Sequence, residues 1–191
     1  MTLVVDGSAL VDLDRRLERW IVNHRVDVLD HVFVFLSRIG TLGICWLAIA
    51  FLLALVLRQP VLFGRVLLAD VVAGALQYAI KRLVGRARPP ERFPAIHPLV
   101  YVPSTPSFPS GHATAAFACA VVLARAAPRL TVPLVVLAAL VAFSRDYVGV
   151  HYPLDSIAGA ALGTAIGFAL LRALPLLEAI PRRSPRSRRE A

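Results

Sequence analysis

Cysteine and lysine are both scarce in this chain of 191 residues. Cys45 and Cys119 are its two cysteines, and both fall inside apolar runs, where a thiol behaves as a small hydrophobe. Neither has metal-ligand spacing around it, which argues against a zinc site and a disulfide framework. Lysine occurs once, as Lys81, against twenty arginines. A chain that otherwise uses the planar guanidinium has kept one flexible point charge, and the two groups bind anions differently. No internal repeat with a period of about 20–50 residues is present, so a solenoid is excluded. The N-terminus lacks a basic stretch ahead of an apolar core, and a signal peptide is not expected there. There is also no carboxylate cluster of the kind that binds magnesium.

What the chain has in excess is apolar residues, at 58%, with a mean hydropathy of +0.69. A soluble domain is nearer half apolar. The excess lies in five runs, at about 41–57, 61–80, 112–127, 130–143 and 154–177. Two fall short of the roughly 20 residues that cross a bilayer, and each can borrow flanking residues. Helices satisfy every backbone polar group in lipid, so the expected fold is an all-α integral membrane bundle of five spans. A sixth span at 26–39 is interrupted by Asp27, Asp30, His31 and Arg38 and is less favoured. Gly159, Gly163 and Gly167 form a four-residue-spaced stripe that allows close helix approach, expected within the bundle.

The organisation reads as three parts. Residues 1–40 form an amphipathic segment, with Leu10, Leu13, Leu17, Trp20 and Ile21 at helical spacing, as in a helix lying on a membrane surface. Residues 41–177 form the transmembrane core. Residues 178–191 form an arginine-rich tail, expected to be disordered and solvated. The net charge of +9 sits at span ends and in this tail, which fits membrane topology rather than a nucleic-acid partner. With five alternating spans, the tail, Arg172, the Arg125–Arg129 turn and the Arg58 turn share one side, cytoplasmic by the positive-inside rule. The stretches 81–111 and 144–153 then share the extracytoplasmic side.

Those two stretches carry the chemistry. Lys81 and Arg88 are two helical turns apart, and Pro89 disfavours helix at Arg88. By themselves they pass for interfacial cations that snorkel to headgroups. Ser110-Gly111-His112 opens an apolar helix after Pro109. Ser110 is an ordinary N-cap candidate there, while free N–H groups at a helix start also bind anions. Arg145 ends one span. His151 and Asp155 lie four residues apart, so the carboxylate can fix the imidazole tautomer and free the other nitrogen as nucleophile or base. Asp155 also suits the first turn of a helix through the helix dipole. Each segment has an ordinary structural explanation. Clustered cations on one face near lipid, however, need an anion to offset their repulsion.

The pattern Lys81 to Arg88-Pro89, then Pro109-Ser110-Gly111-His112, then Ser144-Arg145 through His151 to Asp155 resembles the three-part signature of the type 2 phosphatidic acid phosphatases. That family shares a superfamily with bacterial acid phosphatases and vanadium haloperoxidases. The motifs span 81–155, and the helical pattern extends the likeness over about 41–177. Many bacterial members have six spans, so residues 1–40 depart from the pattern.

The resemblance implies a multi-pass membrane lipid phosphatase that needs no cofactor and no metal. By it, His151 attacks phosphorus, Asp155 orients His151, and His112 protonates the leaving oxygen. Lys81, Arg88, Ser110, Gly111 and Arg145 hold the nonbridging oxygens. The implied partners are a lipid phosphate and the bilayer. The substrate alternatives are a polyprenyl diphosphate, phosphatidate and phosphatidylglycerol phosphate. Phosphotransfer to an acceptor alcohol through the same intermediate is the alternative reaction. A vanadate-dependent haloperoxidase is disfavoured by the five spans, and a degenerate non-enzyme by the intact His112, His151 and Asp155.

Overall fold

The computed structural model describes residues 7–178. The expected disorder of the basic tail falls mainly on 179–191, outside the described residues. Among the described residues the protein is all helical. The helices are α1 (Gly7–Asn23), α2 (Asp27–Ile39), α3 (Ile44–Val56), α4 (Val61–Val84), the single turn α5 (Pro89–Arg92), α6 (Gly111–Ala126), α7 (Thr131–Tyr147) and α8 (Pro153–Glu178). Each of the five apolar runs coincides with one of α3, α4, α6, α7 and α8.

Three stretches have the length and composition to cross a membrane by themselves: Val61–Arg92, Pro128–Tyr147 and Pro153–Ala173. α2 and α3 pass the same test only together, as a pair bent by 68°. The 13 residues of α2 cover only about 20 Å, too short to cross alone. α6, with 16 residues, is a shorter apolar helix at the centre of the bundle.

Small residues explain how α6 becomes the centre. Its inward positions include Ala113, Ala116, Ala118, Cys119 and Ala120, all buried. α8 meets it through the glycine stripe. A Cβ on Gly159 would lie 2.6 Å from the Ser110 carbonyl oxygen, and one on Gly167 would lie 2.7 Å from Val121 Cβ. At Gly163 it would overlap the Thr114 carbonyl outright. The stripe packs inside the bundle, as expected, and lets two backbones approach where lipid offers no hydrophobic drive. Around α6 the core is closed by Trp46, Val66, Ala69, Val141 and Ile166. Phe51, Leu52, Leu55, Val71, Val132 and Phe168 point outward, the arrangement of a helix bundle facing hydrocarbon.

α1 is amphipathic in an inverted sense. Leu10, Leu13, Leu17 and Trp20 are exposed, whereas Asp14 and Glu18, one turn apart on the same face, are buried against α7 and α8. An apolar outer face fits a helix at the membrane surface. Its carboxylates reach into the protein: Asp14 Oδ1 accepts the Leu154 N–H at 2.8 Å, which caps the start of α8 from outside the helix. Residues 7–40 therefore contribute buried side chains to the core through Asp14, Glu18 and Ser37.

Candidate active site

α4, α6, α7 and α8 alternate in direction, so the end of α4, the start of α6, the end of α7 and the start of α8 meet at one end of the bundle. The α7–α8 connection is short and turns at Gly149, with φ 79°, where a Cβ would lie 2.6 Å from Arg25 Nη2. That turn sets His151 inside the protein, 2% exposed, ahead of Asp155 in the first turn of α8.

His151 and Asp155 are in contact: Nδ1 lies 3.3 Å from Asp155 Oδ2, which also accepts the Tyr152 N–H at 3.1 Å. On the other side of the ring, Arg88 Nη1 lies 3.2 Å from Nε2. A guanidinium only donates, so Nε2 presents its lone pair and Nδ1 carries the proton toward the carboxylate. Burial pushes the His151 imidazole down to about 3, and the charges of Arg88 and Lys81 add to the fall while Asp155 opposes it. The ring is neutral at physiological pH, with its lone-pair nitrogen on the side of the cations.

The cations are fixed largely by backbone. Lys81 Nζ donates to the carbonyls of Pro106 at 2.6 Å and Ser107 at 3.0 Å, and its third donor remains for an anion. Arg88 donates to Thr105 O at 2.8 Å and Val150 O at 2.9 Å. The two cations thus clamp the 93–108 loop. Arg145 Nη1 donates to Ser37 Oγ, and its Nε is buried without a partner. Ser110 stands at the N-cap of α6, yet its Oγ makes no capping bond and is likewise buried without a partner. Two orphaned buried donors beside a buried lysine and arginine match the needs of a tetrahedral oxyanion. Gly111 opens α6 with a Cβ position 3.2 Å from the Gln77 amide, so the helix start is closely packed.

His112 stands apart from the His151 pair. Its Nε2 lies 3.1 Å from the Ser37 carbonyl and 3.4 Å from Thr41 Oγ1. The α2–α3 bend comes close here: a Cβ on Gly40 would lie 3.0 Å from His112 Cδ2. A cavity of about 380 Å³ opens beside it, lined by Ser37, Arg38, Thr41, Val100, Tyr101, Pro103, His112 and Arg145.

Eight residues expected from sequence, Lys81, Arg88, Ser110, Gly111, His112, Arg145, His151 and Asp155, thus converge on one end of the bundle. Three further residues join them. Arg86 bridges Asp14 and Asp155, with 2.5 Å to each carboxylate, and its guanidinium lies over the Tyr152 ring. Ser37 serves both His112 and Arg145. Asp14 and Glu18 at four-residue spacing on an otherwise apolar-faced helix were the available signal for α1. Arg86, two residues before Arg88, was readable only as another interfacial cation. Ser37 had no motif around it. Among the described residues, no group of three or more His, Cys, Asp or Glu side chains is placed to hold a metal ion.

Comparison with known proteins identifies the family. The profile of the PAP2 superfamily matches residues 62–178. The chain is 43% identical over 136 residues to a decaprenylphosphoryl-5-phosphoribose phosphatase of Mycobacterium tuberculosis, covering 69% of this chain and 73% of that one. It is 31% identical over 169 residues to an undecaprenyl-diphosphatase of Sulfolobus acidocaldarius, covering 86% and 80%. Its fold superposes on the crystal structure of a transmembrane PAP2-type phosphatidylglycerolphosphate phosphatase from Bacillus subtilis, with a TM-score of 0.72, 25% identity and coverage of 94% and 92%. The chain belongs to the PAP2 superfamily, in its branch of membrane lipid phosphatases.

Proposed function

We propose that this protein removes a phosphate from a lipid phosphate or diphosphate, without a metal, through a phosphohistidine on His151. The observation that carries this reading is the state of His151: a neutral buried ring, Nδ1 toward Asp155 and the Nε2 lone pair toward Arg88. In the first step Nε2 attacks phosphorus. The bond to the leaving oxygen breaks, and that oxygen takes a proton from His112. In the second step water attacks the phosphohistidine and gives its proton back to His112. The P–N bond breaks, and its electron pair returns to Nε2. Asp155 stabilises the positive charge on the ring while the P–N bond exists. Lys81, Arg88 and Arg145, with Ser110 Oγ and the N–H of Gly111, hold the three nonbridging oxygens. Preorganised donors of this kind do most of the work in phosphoryl transfer.

Two relatives act, by their names, on polyprenyl-linked substrates, which favours a polyprenyl diphosphate over phosphatidate or phosphatidylglycerol phosphate. The basic residues at the opposite end of the bundle favour a site facing outward from the cytoplasm, with the C-terminus inside. An outward site suits recycling of a carrier lipid for cell-wall synthesis. The test is phosphate release by the purified protein in detergent from a panel of lipid phosphates, with excess chelator and with vanadate. Release that persists in chelator and falls with vanadate is expected. Release that requires added magnesium overturns the metal-free reading.

A further inference from the structure

We propose that Arg38 binds a second phosphate on the leaving-group side of the substrate and so sets a preference for lipid diphosphates over lipid monophosphates. This rests on the phosphatase reading above and adds a subsite to it.

In an in-line displacement the nucleophile and the leaving oxygen lie on opposite sides of phosphorus. His151 is the nucleophile and His112 the proton donor, so the leaving group lies on the His112 side. The space on that side is the 380 Å³ cavity at whose edge His112 and Arg145 sit. One of its walls is the α2–α3 bend, whose position is fixed by the Ser37 carbonyl on His112 Nε2 and by Arg145 on Ser37 Oγ. Arg38 follows Ser37 directly and lines this cavity with its exposed side chain.

The chemistry of the wall then selects a ligand. Val100, Pro103 and the exposed Tyr101 complete the lining, and no carboxylate belongs to it. The Arg38 guanidinium makes no ion pair or hydrogen bond with any described residue. The cradle for the scissile phosphate already has Lys81, Arg88 and Arg145 behind it. A further cation beside the leaving group is of use only if that group is itself anionic. A lipid monophosphate releases a neutral alcohol. A lipid diphosphate releases a lipid phosphate, whose charge grows as the bridging bond breaks. A guanidinium suits this task because its fork can meet two phosphate oxygens at once.

The experiment compares farnesyl diphosphate with farnesyl monophosphate on the full-length protein in detergent, for wild type, Arg38→Gln and Arg38→Lys. The quantity read is the ratio of kcat/KM for the diphosphate to that for the monophosphate. Misfolding of a fraction of the enzyme lowers both constants together and cancels in the ratio. Loss of a charge-assisted contact lowers the ratio about tenfold or more in Arg38→Gln, and Arg38→Lys recovers part of it. A ratio that stays within about twofold of wild type overturns the proposal, including the case where both constants fall together because Arg38 serves only to anchor the protein at headgroups. Wild-type protein that releases phosphate from neither substrate overturns the phosphatase reading itself, an outcome seen before any variant is made.

Discussion

Arg86 Nη1 lies 2.5 Å from Asp155 Oδ1, the carboxylate oxygen that His151 does not use. Its Nη2 lies equally close to Asp14 on the first helix. The aspartate beside His151 is therefore itself held by a guanidinium, and that guanidinium is held by α1. Asp155 is buried with both oxygens engaged, one by His151 and Tyr152, the other by Arg86.

Arg86 is expected to act as a positioning residue. Arg86→Gln removes a charge-assisted contact from a buried carboxylate, a change that costs about tenfold to a hundredfold if it is felt in the transition state. The fall should appear in kcat, with KM little changed, because Arg86 lies behind Asp155 and not in the cradle. Arg86→Lys should recover part of kcat, and Asp14→Asn should lose less than Arg86→Gln. A loss in KM alone, or equal loss in the Gln and Lys variants, would show that Arg86 does not act through Asp155.

Glu18 carries a second prediction, concerning stability. It is fully buried, and both its oxygens lack a hydrogen-bond partner. Burial pushes its carboxyl up to about 10, with the neighbouring charge of Asp146 adding to the rise and Arg25 opposing it. Between the usual 4.5 and that value the folded protein holds a proton that the unfolded chain gives up. The unfolded state binds fewer protons in this window, so stability falls as pH rises through it. Each raised unit corresponds to about 1.4 kcal/mol at full effect. Glu18→Gln keeps the shape and removes the ionisation. Thermal denaturation in detergent should show the variant more stable than wild type by several degrees at pH 8 and close to it at pH 5. Parallel melting curves across that range would mean that Glu18 is not held neutral.

The five apolar runs were legible as helices because long apolar stretches tolerate little else, and the candidate site was legible because its residues come in three short motifs. The contributions of residues 1–40 were not. Asp14 and Glu18 sit on a helix whose leucines and Trp20 announce a membrane-facing side. A hydrophobic stripe says where lipid is, not what the opposite face touches. Ser37 is one hydroxyl in an apolar helix, and its importance comes from a contact 75 residues away in sequence. The 68° bend between α2 and α3 was missed as well. Gly40 and Gly43 mark it, but two glycines in a sequence do not state an angle. Long-range contacts decide all three, and local pattern does not encode them.

The most direct measurement is to trap and map the phosphoenzyme. Protein is mixed with a ³²P-labelled lipid phosphate, or with a labelled nitrophenyl phosphate whose leaving group needs no proton, and quenched in alkali, which preserves phosphohistidine. Wild type and His112→Ala should both carry label on the peptide containing His151, with His112→Ala slowed about 10²–10⁴-fold on the lipid and much less on the nitrophenyl ester. His151→Ala should carry none with either substrate. Label that survives in His151→Ala, or that is lost on His112→Ala with both substrates, would assign the nucleophile elsewhere and contradict the mechanism.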